Sequence, residues 1–203
     1  MAEVSIVNYG IGNTGSICNM FRKLRIEAEV VSGEKAVKNA NRLILPGIGA
    51  FDACIHALDS SGLRDSVLEF ASTQRPMLGI CVGMQMLTLD SEEGDMPGLG
   101  LIRAHTRKFI DTAGLRIPHM GWNTIDWLVM DHPLAKELTN ECRFYFVHSF
   151  RVICETPANS LAVCNYGGDF SAAIVRGNIA GVQFHPEKSH RFGLRLLKNF
   201  ASL

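Results

Sequence analysis

Short apolar runs alternate with segments of helical period along the first half of the chain. Val4–Val7 reads as a buried strand, followed by a glycine-rich turn and a helix from about Thr14 to Leu24. Glu29–Val31 is a second short strand, and Arg42–Leu45 is an apolar run stopped by Pro46. Phe51–Ala71 carries helical spacing in Phe51, Ile55 and Leu58, then Leu63, Val67 and Phe70. Met77–Ile80 is another buried strand, leading into a short helix over Val82–Leu89. Strand and helix in alternation predict right-handed βαβ units around a parallel sheet.

The pattern changes after Leu99. Strands dominate at Leu101–Arg103, Phe144–Val147, Leu161–Cys164, Ala172–Val175 and Ile179–Phe184, separated by Gly, Asn and Pro turns. Such runs fit antiparallel strands that extend or flank the same sheet. Phe192, Leu196, Leu197 and Phe200 fall on one side of a last helix over Arg191–Leu203. With no repeat, low-complexity tract or linker, residues 1–203 are expected to form one α/β domain.

Composition narrows the function classes. A hydrophobic share of 47% against 20% charged residues excludes the disorder signature. Twenty Lys+Arg balance 20 Asp+Glu, which removes the usual electrostatic case for a nucleic-acid or anionic-membrane partner. Charge gives such a chain little colloidal protection, as expected of a protein that works in a complex. The uncharged run Pro76–Leu89 is shorter than the ~20 apolar residues of a membrane span. The opening Met1-Ala2-Glu3-Val4 lacks a basic, apolar leader, and the 6 cysteines form no C-x-x-C pair. Reduced thiols in a cytoplasm are therefore expected.

Gly10-Ile11-Gly12-Asn13-Thr14-Gly15 matches G-x-G-x-x-G between a strand and a helix, with Glu34 further on. That pattern suggests a dinucleotide site. Glu34, however, follows Ser32-Gly33 beyond the second strand, and the chain is short for separate cofactor and substrate domains. A tight turn whose backbone lines another site is the preferred reading.

Gly79-Ile80-Cys81-Val82-Gly83 has the form G-x-C-x-G, the thiol version of a nucleophile elbow. Flanking glycines would let a strand turn sharply into a helix with Cys81 held strained and exposed. The Val82 amide would point where an oxyanion forms, and the helix start would favour thiolate. Cys18, Cys54, Cys142, Cys154 and Cys164 are expected to be small core residues. A thiol nucleophile needs a base and an orienting group. In Gly181-Val182-Gln183-Phe184-His185-Pro186-Glu187, His185 and Glu187 face the same way on an extended chain. Glu187 can then hold one imidazole nitrogen while the other addresses Cys81. His56, His132 and His190 lie in less suitable segments, and His119 and His148 lack an acidic neighbour two residues away. No Cys/His spacing matches a zinc site, so neither metal nor cofactor is expected. Leu45-Pro46-Gly47-Ile48-Gly49 offers unobstructed amides at a strand end. Together these describe acyl transfer through a thioester. The rival classes are a stand-alone cysteine hydrolase, a nicotinamide-binding protein and a non-catalytic binding subunit.

LPGIG at 45–49, GICVGMQML at 79–87 and GVQFHPEKS at 181–189 resemble the class I glutamine amidotransferases, which release ammonia from glutamine for a synthase. The resemblance implies an open three-layer, flavodoxin-like α/β fold with a mostly parallel sheet plus antiparallel strands. Ser91-Glu92-Glu93-Gly94, Pro118–Asn123 and Phe144–Ser149 look like the branch that serves imidazole glycerol phosphate synthase in histidine biosynthesis. It implies Cys81 as nucleophile, His185 as base and Glu187 as its orienter. Gln85, Gly49 and the Ser149 region would contact glutamine. The loop Gly47-Ile48-Gly49, through the Ile48 amide, and the Val82 amide would hold the oxyanion. Met120, Trp122 and Asn123 would face an ammonia-accepting cyclase subunit in a heterodimer. Phe150 stands where many relatives carry tyrosine, which removes a hydroxyl contact. Asn8–Asn13 and Ser189–Gly193 look instead like a paralogous branch that supplies a sugar amidotransferase in surface-polysaccharide synthesis.

Overall fold

A computed structural model describes residues 2–110 and 114–203. The first half runs β1 (Val4–Val7), α1 (Thr14–Leu24), β2 (Ala28–Val31), α2 (Glu34–Asn39), β3 (Leu43–Gly47), α3 (Phe51–Ser60), α4 (Arg64–Ala71), β4 (Met77–Cys81) and α5 (Val82–Met86). The second runs β5 (Asp90–Ser91), β6 (Ala104–Lys108), β7 (His119–Thr124), β8 (Asp126–Trp127), β9 (Arg143–His148), β10 (Phe150–Cys154), β11 (Ser160–Asn165), β12 (Asp169–Arg176), β13 (Ile179–Val182) and α6 (His190–Ala201).

The sheet follows the order β2-β1-β3-β4-β13-β12-β10-β6-β5, with β11 paired to β12 and β8 paired to β11. Its centre, from β2 to β13, is wholly parallel, and β12 and β10 continue it antiparallel. β1, β3, β4 and β13 are buried along their whole length, as strands covered on both faces must be. The chain steps from β1 to β2 in one direction and from β2 through β3 to β4 in the other. Right-handed crossovers therefore place α1 on one face and α2, α3 and α4 on the opposite face. α6 returns to pack on α1, and Phe21, Phe51, Phe70, Phe184 and Phe200 fill the layers between. The open α/β architecture expected from the sequence is thus the one observed.

Local differences have physical causes. The helical run 51–71 is two helices, because Gly62 adopts a left-handed φ of 72° and the Ser61 hydroxyl donates to Leu58 O. α5 stops at Met86, well short of Leu89. Leu101–Arg103 is not a strand; pairing begins at Ala104. Phe144–Val147 does form a strand, β9, but it leaves the main sheet to pair with β7, a strand without an apolar signature. α2 and β10 also escaped the apolar pattern.

Candidate active site

Three neighbouring parallel strands end together. Gly47 lies beside Cys81 in the β3–β4 ladder, and Val182 beside Ile80 in the β13–β4 ladder. The loop after β3, the elbow after β4 and the His185 segment after β13 therefore meet at one carboxyl edge, where open α/β sheets bind ligands.

The elbow holds Cys81 strained, as expected, but buried, not exposed, because the strands and α5 close around it. Cys81 itself takes the unusual backbone, φ 56° and ψ −115°. The glycines around it serve close approach instead. A Cβ on Gly83 would lie 2.0 Å from Leu45 O, and one on Gly79 would lie 2.6 Å from Gly83 O. A Cβ on Gly47 would meet Gly83 N at 2.4 Å. α5 thus sits directly on the backbone of β3, which brings the 47–49 loop beside the thiol. From behind, the Tyr9 hydroxyl donates to Pro46 O at 2.6 Å and the Cys54 thiol donates to Ile48 O at 3.2 Å. Gly12 packs on the Pro46 ring, where a Cβ would come within 2.8 Å. The glycine-rich turn at 10–15 therefore supports this loop, and Glu34 lies away from it at the start of α2.

His185 and Glu187 are almost wholly buried, with side chains 4% and 2% exposed. The imidazole Nδ1–H donates to Glu187 Oε1 at 2.8 Å. Pro186 starts a 3₁₀ turn that folds Glu187 back, and Gly193 of α6 packs on Pro186 O so closely that a Cβ would lie 1.8 Å away. Burial lowers the His185 pKa, but interaction with Cys81 and Glu187 more than reverses this and carries it up to about 10. His185 Nε2 is buried and given no other partner by the described residues, which leaves it to the Cys81 sulfur. Gln183 Nε2 donates to the Cys81 sulfur at 3.9 Å.

Cys81 and His185 line a cleft of about 410 Å³ with Ile48, Gly49, Val82, Gln85, Ser149 and Phe150, and Glu187 stands behind the imidazole. Gln85 is buried, and its amide donates to Gln183 Oε1 at 3.1 Å and to Phe150 O at 3.4 Å. Position 150 thus contributes its backbone, whatever its side chain. The cleft also contains Glu93, His148 and Lys188, which sequence reasoning did not assign to the site. Glu93 accepts Phe51 N at 2.8 Å at the start of α3, and burial raises its pKa above the usual carboxylate value. Ser91-Glu92-Glu93-Gly94 gave no periodic signal that it would fold against α3. Gln183 did carry a signal, as it stands two residues before His185 in the run that leaves β13.

Met120 and Trp122 lie outside the cleft on the exposed face of β7, Trp122 stacked on His190 with ring centroids 5.2 Å apart. Strand alternation turns Asn123 the other way, inward to His119 and to Asn165 O. Cys54, Cys142 and Cys164 are buried, while Cys18 and Cys154 are half-buried. Among the described residues, no group of three or more His, Cys, Asp or Glu side chains is placed to hold a metal ion. Nor is any described helix long and apolar enough to cross a membrane.

The profile of the family described as glutamine amidotransferase class-I matches residues 5–202. The chain belongs to the class I glutamine amidotransferases. It is 43% identical over 201 residues to imidazole glycerol phosphate synthase subunit HisH 2 of Pseudomonas aeruginosa, covering 98% of this chain and 99% of that protein. The subunit HisH of Bdellovibrio bacteriovorus is 45% identical over 204 residues, with 98% and 100% covered. Solved structures share the fold at lower identity. PurLQS from Thermotoga maritima superposes with a TM-score of 0.76 at 17% identity, covering 98% of this chain and 97% of that one. The crystal structure of a glutamine amidotransferase gives 0.72 at 19%, with 98% and 99% covered.

Proposed function

We propose that this amidotransferase is the glutaminase subunit of an imidazole glycerol phosphate synthase, hydrolysing glutamine and passing ammonia to a cyclase subunit in the cytoplasm. The observation that carries the chemistry is the meeting in one cleft of Cys81, on a positive-φ elbow, with His185, whose other ring nitrogen is held by the buried Glu187. The HisH relatives support the pathway.

In this mechanism His185 takes the Cys81 proton, and the resulting thiolate attacks the side-chain carboxamide carbon of glutamine. Amides of the 47–49 loop and Val82 receive the oxyanion. His185 returns its proton to the departing nitrogen, so ammonia leaves and a γ-glutamyl thioester remains. Water, deprotonated by the same imidazole, opens the thioester to glutamate and restores the thiol. Glu187 keeps the ring oriented throughout. Gln85 and Glu93 hold the amino-acid end of glutamine, and Ser149 and Gly49 contribute backbone. Free ammonia would be protonated and lost in water, so the exposed Met120–Trp122 face is assigned to the heterodimer contact.

Glutamate release is the test, measured with and without a cyclase partner and its nucleotide ligand. Strong stimulation is expected. Cys81→Ala should abolish the glutamine-dependent reaction and leave ammonia-dependent synthesis by the partner intact. Glutamine hydrolysis retained in that variant refutes the assignment. Stimulation only by a different synthase would move the chain to the sugar-amidotransferase branch.

A further inference from the structure

A line of hydrogen bonds runs from β7 into the cleft, through two buried histidines that the proposed mechanism does not use. Asn123 Nδ2 meets His119 Nε2 at 3.4 Å, His119 Nδ1 meets His148 Nε2 at 3.0 Å, and His148 Nδ1 meets Phe150 O at 2.7 Å. The direction of every proton follows from its end. A carbonyl oxygen only accepts, so His148 carries its hydrogen on Nδ1 and a neutral ring then accepts on Nε2. His119 must therefore donate from Nδ1 and accept on Nε2. Asn123 fits as the donor, because its Oδ1 already accepts Thr124 N at 2.9 Å.

The surroundings keep both rings neutral. His119 stacks on Phe146 and Tyr166, with centroids 4.7 and 4.0 Å away. Burial lowers the pKa of His119 to about 4 and that of His148 to about 3. At Phe150 O the line meets Gln85, whose two amide hydrogens are taken by Phe150 O and Gln183 Oε1. The Gln85 carbonyl oxygen is left as the end free for a ligand.

We propose that His119 and His148 are positioning residues for the glutamine site, both held as neutral Nδ1–H tautomers. They fix Phe150 O and thereby orient Gln85 as an acceptor toward the substrate. The role in glutamine binding rests on the glutaminase reading; the tautomers do not.

Long-range ¹H–¹⁵N correlation spectra of the ¹⁵N-labelled full chain at pH 7 should show both rings neutral and protonated at Nδ1, the less common tautomer in free histidine. An imidazolium or an Nε2–H ring at either position overturns the proposal. Kinetics test the consequence. His148→Phe should raise KM for glutamine roughly fivefold, the worth of one orienting hydrogen bond, with kcat little changed. His148→Asn, which returns a donor near the Nδ1 position, should recover most of that loss. A drop in kcat at unchanged KM, or an unimproved Asn variant, overturns the positioning role. Absence of hydrolysis by the wild-type chain both alone and with a synthase partner would refute the glutaminase reading itself, whatever the tautomers.

Discussion

Cys81 carries a backbone conformation that an L side chain occupies at a cost, and two substitutions separate that cost from the chemistry. Its φ of 56° with ψ of −115° lies outside the left-handed helical well and is open mainly to glycine. Holding a residue with a Cβ there costs about 1–3 kcal/mol. Cys81→Ala keeps the Cβ and its strain, whereas Cys81→Gly removes both. Since each variant also loses the sulfur, that loss cancels between them. At an ordinary position glycine is about 0.5–1 kcal/mol less stable than alanine, through the entropy of the unfolded chain. Subtracting this from the strain leaves the Gly variant ahead by about 1 kcal/mol. In a protein of 203 residues that is about 2–4 °C in Tm. Calorimetric melting with a glutamate-release assay would check both halves: the Gly variant melts later, and neither variant hydrolyses glutamine. An Ala variant as stable as the Gly variant, or more so, would refute the strain argument.

Two further outcomes follow from the same edge of the sheet. Gly83→Ala places a Cβ 2.0 Å from Leu45 O, a backbone atom with no rotamer to yield. It should cost about 3 kcal/mol in urea unfolding; Gly33→Ala, where a Cβ meets nothing within 4 Å, should lie within about 0.5 kcal/mol of wild type. Equal midpoints for the two variants would contradict the close seating of α5 on β3. The His185 pKa is raised from 6.5 to about 10, so the stabilisation from its folded-state proton is complete below pH 6.5 and is lost as pH rises through about 10. Urea midpoints measured across that window should decline, and less steeply in Glu187→Gln, which removes one of the charges that hold the proton. An unchanged slope in that variant would exclude Glu187 from the coupling.

Much of this molecule was legible because the relevant signals are local. The limits of β1 and α1 follow from apolar period and flanking turns, and the elbow from Gly79, Cys81 and Gly83 within one strand–helix junction. His185 and Glu187 do pair as their spacing predicts, although a 3₁₀ turn from Pro186, not an extended chain, brings them together. What the glycines of the elbow are for could not be read this way. Flexibility was the local explanation, yet the space they leave is taken by Leu45 O and by each other across the β3–β4 boundary, and the thiol they flank is buried.

The misses share one cause. β7 and β10 are half-polar strands that exist because neighbours from distant parts of the chain complete their ladders, so their own composition is uninformative. Glu93 enters the cleft because an irregular turn lays it against the start of α3. His119 and His148 were judged singly for an acidic neighbour, and their partners proved to be each other, across the β7–β9 pair. By itself the sequence determined the alternation of strand and helix, the thiol at a strand end and the imidazole–carboxylate pair. Periodicity, turn chemistry and i to i+2 spacing act within a few residues. Which strand ends met, which glycine was needed for space and which polar groups closed into one line were decided by tertiary structure, because long-range strand pairing and packing alone bring those atoms within reach.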